Sequence, residues 1–82
     1  MKVVYFAWVR ERVGEPFEMV ETGDAKTVAD VVEQLSEMSE AHALALSDRE
    51  VLRFALDQKL VEIDSPLNGA CELAIFPPMT GG

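Results

Sequence analysis

Cysteine is nearly absent: Cys71 stands alone in 82 residues. A single thiol makes no internal disulfide and no paired-cysteine metal or redox motif. It fits a reducing compartment, and its place in the apolar run 71–76 reads as buried filler. Basic residues are scarce too, with seven Lys and Arg against fifteen Asp and Glu and a formal net charge of −8. Such a chain is repelled by nucleic-acid phosphates and by anionic lipid, so neither is expected as a partner. A protein partner with a basic docking surface fits better. Histidine occurs once, at His42. With no companion ligands it reads as a surface residue, and no metal site is expected. No apolar run approaches the ~18 residues of a membrane span. The opening Met1-Lys2-Val3-Val4-Tyr5 lacks the basic, apolar and cleavage regions of a signal peptide. The expectation is a soluble cytoplasmic protein. A Ser/His/Asp set, a glycine-rich phosphate loop and a recognisable pair of catalytic carboxylates are also missing. No catalysis is expected from the chain alone, and no bound cofactor.

What is present makes one domain with a modest core. Residues 3–8 are apolar, β-branched and aromatic and read as a strand. Arg10-Glu11-Arg12-Val13-Gly14 breaks that run as a turn or short helical link. Residues 17–21 alternate and read as a second strand, antiparallel to the first. Thr27, with Asp30 three residues on, is a helix N-cap close to a capping box. Val28, Val31, Val32, Leu35 and Met38 then fall on one helical stripe, with Asp30, Glu33, Gln34 and Glu37 on the other side. Ser39 caps a short second helix through Leu46. Residues 52–56 and 60–63 are strand candidates, and 71–76 is the last strand, stopped by Pro77-Pro78. The order of elements implies an α+β layer: a mixed sheet of about five strands on one main helix plus a short one. The first and last strands are the most hydrophobic and are expected as central neighbours. This is the layout of a β-grasp, or ubiquitin-like, domain, with residues 1–76 as its body and 77–82 as a flexible tail.

The tail ends on Gly81-Gly82, and ordering glycine costs more entropy than ordering any other residue. A glycine pair adds nothing to a fold, but it is thin enough to slide down a narrow channel and present a bare carboxylate. The Gly82 carboxyl group is therefore the candidate reactive group, with Gly81 serving the threading. Pro77 and Pro78 each hold φ near −65° and favour extension before them. Pre-extension lowers the entropy cost of threading. Beside the tail, if Val3, Tyr5 and Ala7 face the helix, then Val4, Phe6 and Trp8 face outward as a binding patch.

Two stretches and the tail resemble a known family. Residues 4–14, with Phe6-Ala7, Arg10-Glu11 and Gly14, look like the opening of the small, sulfur-carrying subunits of molybdopterin synthase. The ending Phe76-Pro77-Pro78-Met79-Thr80-Gly81-Gly82 is similar to that family's proline-pair and diglycine tail. The turn at Leu56-Asp57-Gln58 and the stretch Gly69-Ala70-Cys71-Glu72 depart from the family pattern, which puts loop geometry in doubt. The resemblance implies a β-grasp sulfur carrier. An ATP-dependent adenylating enzyme would activate Gly82, and a thiocarboxylate would form there. That group would give its sulfur to cyclic pyranopterin monophosphate in the large catalytic subunit, within a heterotetramer. It also implies that Phe6, Leu60 and Phe76 contact the large subunit, with Trp8 extending the patch and Pro77, Pro78, Met79 and Thr80 entering with the tail. The rival expectations are a ubiquitin-like protein modifier, a carrier for thiamine or tRNA thiolation, and a non-covalent β-grasp module with an inert tail.

Overall fold

A computed structural model describes residues 1–78. Eight elements follow in order: β1 (Lys2–Tyr5), α1 (Ala7–Val13), β2 (Phe17–Met19), α2 (Val28–Ser36), α3 (Glu40–Ala45), β3 (Arg53–Leu56), β4 (Lys59–Val61) and β5 (Glu72–Phe76). The strands form one mixed sheet in the order β2-β1-β5-β3-β4. β1 runs parallel to β5, with Val3 opposite Leu73 and Tyr5 opposite Ile75. The pairs β1–β2, β3–β4 and β3–β5 are antiparallel. A hairpin, a helical crossover and a return to the centre make this the β-grasp arrangement, and the first and last strands are indeed central neighbours.

Alternation along the strands decides which side is covered. Val3 and Tyr5 from β1, Phe54 and Leu56 from β3, and Leu73 and Ile75 from β5 are buried on one face. There they join Val9 and Val13 of α1, Val28, Val31, Val32 and Leu35 of α2, and Ala45 and Leu46 at the end of α3. α2 follows its sequence signals closely. The Thr27 side chain accepts from the Asp30 N–H, and the Asp30 carboxylate accepts from the Thr27 N–H. Backbone N–H groups of Lys26 and Thr27 hold the Asp30 carboxyl below its ordinary range. Ser39 caps α3 by accepting from the His42 N–H.

Four expectations are corrected. The first strand stops at Tyr5, so Trp8 lies on a helix and not on a strand. Phe6 is still extended, but Ala7 turns to φ +53, and α1 starts there. The left-handed turn reverses the alternation, and Ala7 is exposed where inward placement was expected. α2 ends at Ser36, which leaves Met38 half exposed beyond the helix and off its buried stripe. Cys71 precedes β5 and is exposed, so it fills no core. His42 is buried, at 7% exposure, and does not lie at the surface. Among the described residues no helix is long and apolar enough to cross a membrane.

Candidate docking face and tail base

The sheet face opposite the helices is apolar. Strand alternation and register place Phe17 and Met19 of β2, Val4 of β1, Ala74 and Phe76 of β5, Ala55 of β3 and Leu60 of β4 on it. Several of these are large and open to solvent: Phe17 at 49%, Met19 at 71% and Leu60 at 74%. Phe6, at 47%, leaves the end of β1 toward the same side. Its ring meets Phe76 edge-on, with centroids 6.4 Å apart and planes at 86°. Its backbone N–H donates to the Ile75 carbonyl at 3.1 Å. The two phenyl rings therefore flank the point where the chain leaves the sheet. Ala55 and Ala74 form a low floor between this pair and Leu60. An exposed apolar face of this kind is a docking feature more often than a solvated one.

The candidate residues do not all converge. Phe6 and Phe76 touch, and Leu60 shares their face but stands on the edge strand two places away from β5. Trp8 is separate. It is half-buried, packs against the core from α1 and carries the Arg12 guanidinium 4.3 Å from its ring centroid. Pro77 and Pro78 follow β5 without regular structure and are half-buried. Met79, Thr80, Gly81 and Gly82 lie outside the described residues.

Sequence reasoning missed Phe17 and Met19 as part of this face. The signal was there: β2 pairs with β1 so that Phe17 lies opposite Val4. It also missed the ammonium of Lys2, 4.8 Å from the centre of the Phe17 ring.

A second cluster lies behind the sheet. Glu18 Oε2 accepts from the Tyr5 hydroxyl at 2.7 Å and meets His42 Nε2 at 2.7 Å. His42 Nδ1 meets Ser39 Oγ, also at 2.7 Å. Burial acts to raise the Glu18 carboxyl, but hydrogen bonds from His42 and Tyr5 and the His42 charge outweigh it and hold the group below its ordinary range. Burial, then the Glu18 hydrogen bond and charge, push the Tyr5 phenol far above its usual range. Ser, His and Glu are the residue types of a hydrolytic triad, and sequence spacing concealed their meeting. Their orientation is that of a brace. Ser39 Oγ is occupied as the α3 cap, and Glu18 Oε2 is shared with Tyr5. Among the described residues no group of three His, Cys, Asp or Glu side chains could hold a metal ion.

The ThiS family model matches residues 3–82. The molybdopterin synthase sulfur carrier subunit of Escherichia coli (strain K12) is 43% identical over 82 residues, covering 100% of this chain and 99% of that protein. The subunit of the same name from Haemophilus influenzae is 35% identical, with the same coverage. Among solved structures, SAMP1 from Haloferax volcanii superposes with a TM-score of 0.76 at 25% identity, covering 100% of this chain and 98% of that one. A putative molybdopterin converting factor, subunit 1, from Pyrococcus furiosus gives 0.72 at 25% identity over 95% of each chain. A β-grasp body, an apolar face beside the base of the tail and a match along nearly the whole length agree: the chain belongs to the ThiS family.

Proposed function

We propose that this chain is the sulfur carrier subunit of a molybdopterin synthase, with the Gly82 carboxyl group as the sulfur-bearing end. The observation that carries the reading is the match to sulfur carrier subunits over the full chain at 43% identity. The structure adds a physical reason. The face that holds Phe6 and Phe76 at the foot of the tail would let a partner grip the body while Gly81 and Gly82 reach its active site.

A carboxylate is a poor electrophile, so the cycle begins with activation. A separate ATP-dependent enzyme joins the Gly82 carboxylate to AMP and releases pyrophosphate. A sulfur nucleophile then attacks the carbonyl, AMP leaves, and a thiocarboxylate remains. In the large catalytic subunit, that sulfur passes to cyclic pyranopterin monophosphate, water supplies the oxygen that returns Gly82 to a carboxylate, and a second loaded carrier gives the other sulfur of the molybdopterin dithiolene. The chain holds no cofactor itself; ATP belongs to the activating enzyme. The working assembly is a heterotetramer of two small and two large subunits, and the compartment is the cytoplasm.

Intact mass after incubation with the activating enzyme, ATP and a sulfur source tests the reading. Exchange of one oxygen for sulfur at Gly82 is expected. Unchanged mass under conditions that load a known carrier overturns it. The likeness to SAMP1, one of the small archaeal modifier proteins, favours a second reading as a protein modifier. That reading predicts high-mass conjugates on a denaturing gel.

A further inference from the structure

Arg53 stands where the open face meets the foot of the tail. It opens β3 and pairs in register with Phe76, so alternation puts its stem on the face of Ala55, Leu60 and Phe76. The residue is exposed, yet its head is fixed. Nη1 donates to the carbonyls of Glu50 at 3.1 Å, Val51 at 3.4 Å and Leu52 at 3.1 Å. A guanidinium carries five N–H groups. Those on Nη2 and Nε have no acceptor among the described residues, and Arg53 joins neither of the ion pairs found there, His42–Glu18 and Arg49–Glu33. Arg53 and Leu60 border a groove of about 540 Å³ that also takes in Arg49, Glu50 and Glu62.

Charge on the open face is sparse and uneven. The strand residues directed there include Lys2, Glu72 and Arg53. Lys2 and Glu72 lie opposite each other at the end away from the tail, and Lys2 is engaged with the Phe17 ring. At the tail end the charged residues of this face are Arg53 and, just beyond β4, Glu62, which the register of Phe54 with Val61 carries opposite it; no ion pair joins the two among the described residues. The chain as a whole carries −8, and Arg53, opposite Phe76, is the cationic strand residue of this face at the foot of the tail.

We propose that Arg53 is a docking residue whose outward N–H groups receive a carboxylate of the large catalytic subunit, set beside the channel that admits the tail. The proposal rests on the sulfur-carrier reading and names the partner's chemistry at that site. Apolar contact along a flat face supplies affinity but tolerates small rotations. A forked contact to a carboxylate at the foot of the tail fixes orientation, and so aims the tail. The three carbonyls hold the guanidinium before the partner arrives, which lowers the entropy cost of the contact.

The test is calorimetric binding of the full chain to its own catalytic subunit at low and high salt, for wild type, Arg53→Met and Arg53→Lys. Arg53→Met is expected to weaken binding about tenfold at low salt, with the gap closing as salt rises. Arg53→Lys keeps the charge but loses the fork and its anchoring carbonyls, and is expected to bind between wild type and Arg53→Met while keeping the salt dependence. Binding by Arg53→Met that equals wild type at both salts overturns the proposal. So does an equal, salt-independent loss in both variants, which would assign Arg53 to bracing the turn before β3. Failure of the wild type to bind would remove the sulfur-carrier reading as well, whereas binding indifferent to Arg53 removes the proposal alone.

Discussion

Glu18 holds two neighbours with one oxygen, and both need it. His42 is buried and the Tyr5 side chain is fully enclosed, so truncating Glu18 to alanine leaves two inward-facing groups short of a partner. A loss of about 1–3 kcal/mol is expected for Glu18→Ala, read from urea unfolding. The same contact makes stability depend on acid. The folded Glu18 carboxyl titrates below its ordinary range, so its contribution is complete above the unfolded value of about 4.3 and is lost as pH falls through the folded one. Wild type should therefore lose more stability than Glu18→Gln on acidification below that value, as measured by thermal melts across the range. Nothing in the sequence announces this cluster. Glu18 and His42 are 24 positions apart, and only the packing of α3 behind β2 joins them. A lone histidine reads as exposed because an isolated residue carries no sign of a distant partner.

At the scale of elements, signals carried by neighbours in sequence were legible and those set by packing were not. The Thr27–Asp30 box and the valine stripe of α2 are local, and the helix forms where they place it. The border between β1 and α1 depends on the fold. Residues 3–9 are apolar on both sides of it, because Val3 and Tyr5 bury from a strand while Val9 buries from a helix. The positive φ at Ala7, costly for a residue with a Cβ, has no composition signature. The consequence divides two aromatics that sequence put in one patch. Trp8→Ala should destabilise the fold by about 2–4 kcal/mol, since the ring packs against the core. Phe6→Ala should cost far less stability and mainly weaken partner binding. Urea unfolding and calorimetric binding on the two variants separate the effects, and a Trp8 variant of unaltered stability would return that residue to the docking face.

For the whole molecule, the legible part was the layered architecture and the central pairing of the first and last strands, since hydrophobicity ranks strands by depth. The extent of the open face was less legible. It needs the register of β2 on β1, which brings Phe17 and Met19 alongside Val4 and Lys2. Leu60 offers the cleanest test of that face, because it is exposed on an edge strand. Leu60→Asp should leave the melting temperature nearly unchanged while weakening association with the catalytic subunit by about 2 kcal/mol. The parallel seam between β1 and β5 also governs when this protein comes into being. Its two strands are far apart in sequence, Lys2 pairing with Glu72 and Tyr5 with Ile75, and contacts so distant in sequence form late and slowly. During synthesis the seam has no second half until residue 76 has cleared the ribosome. A nascent chain therefore closes its sheet only once β5 is free to pair, and a partner that recognises the closed sheet would pass over every copy still lacking that strand.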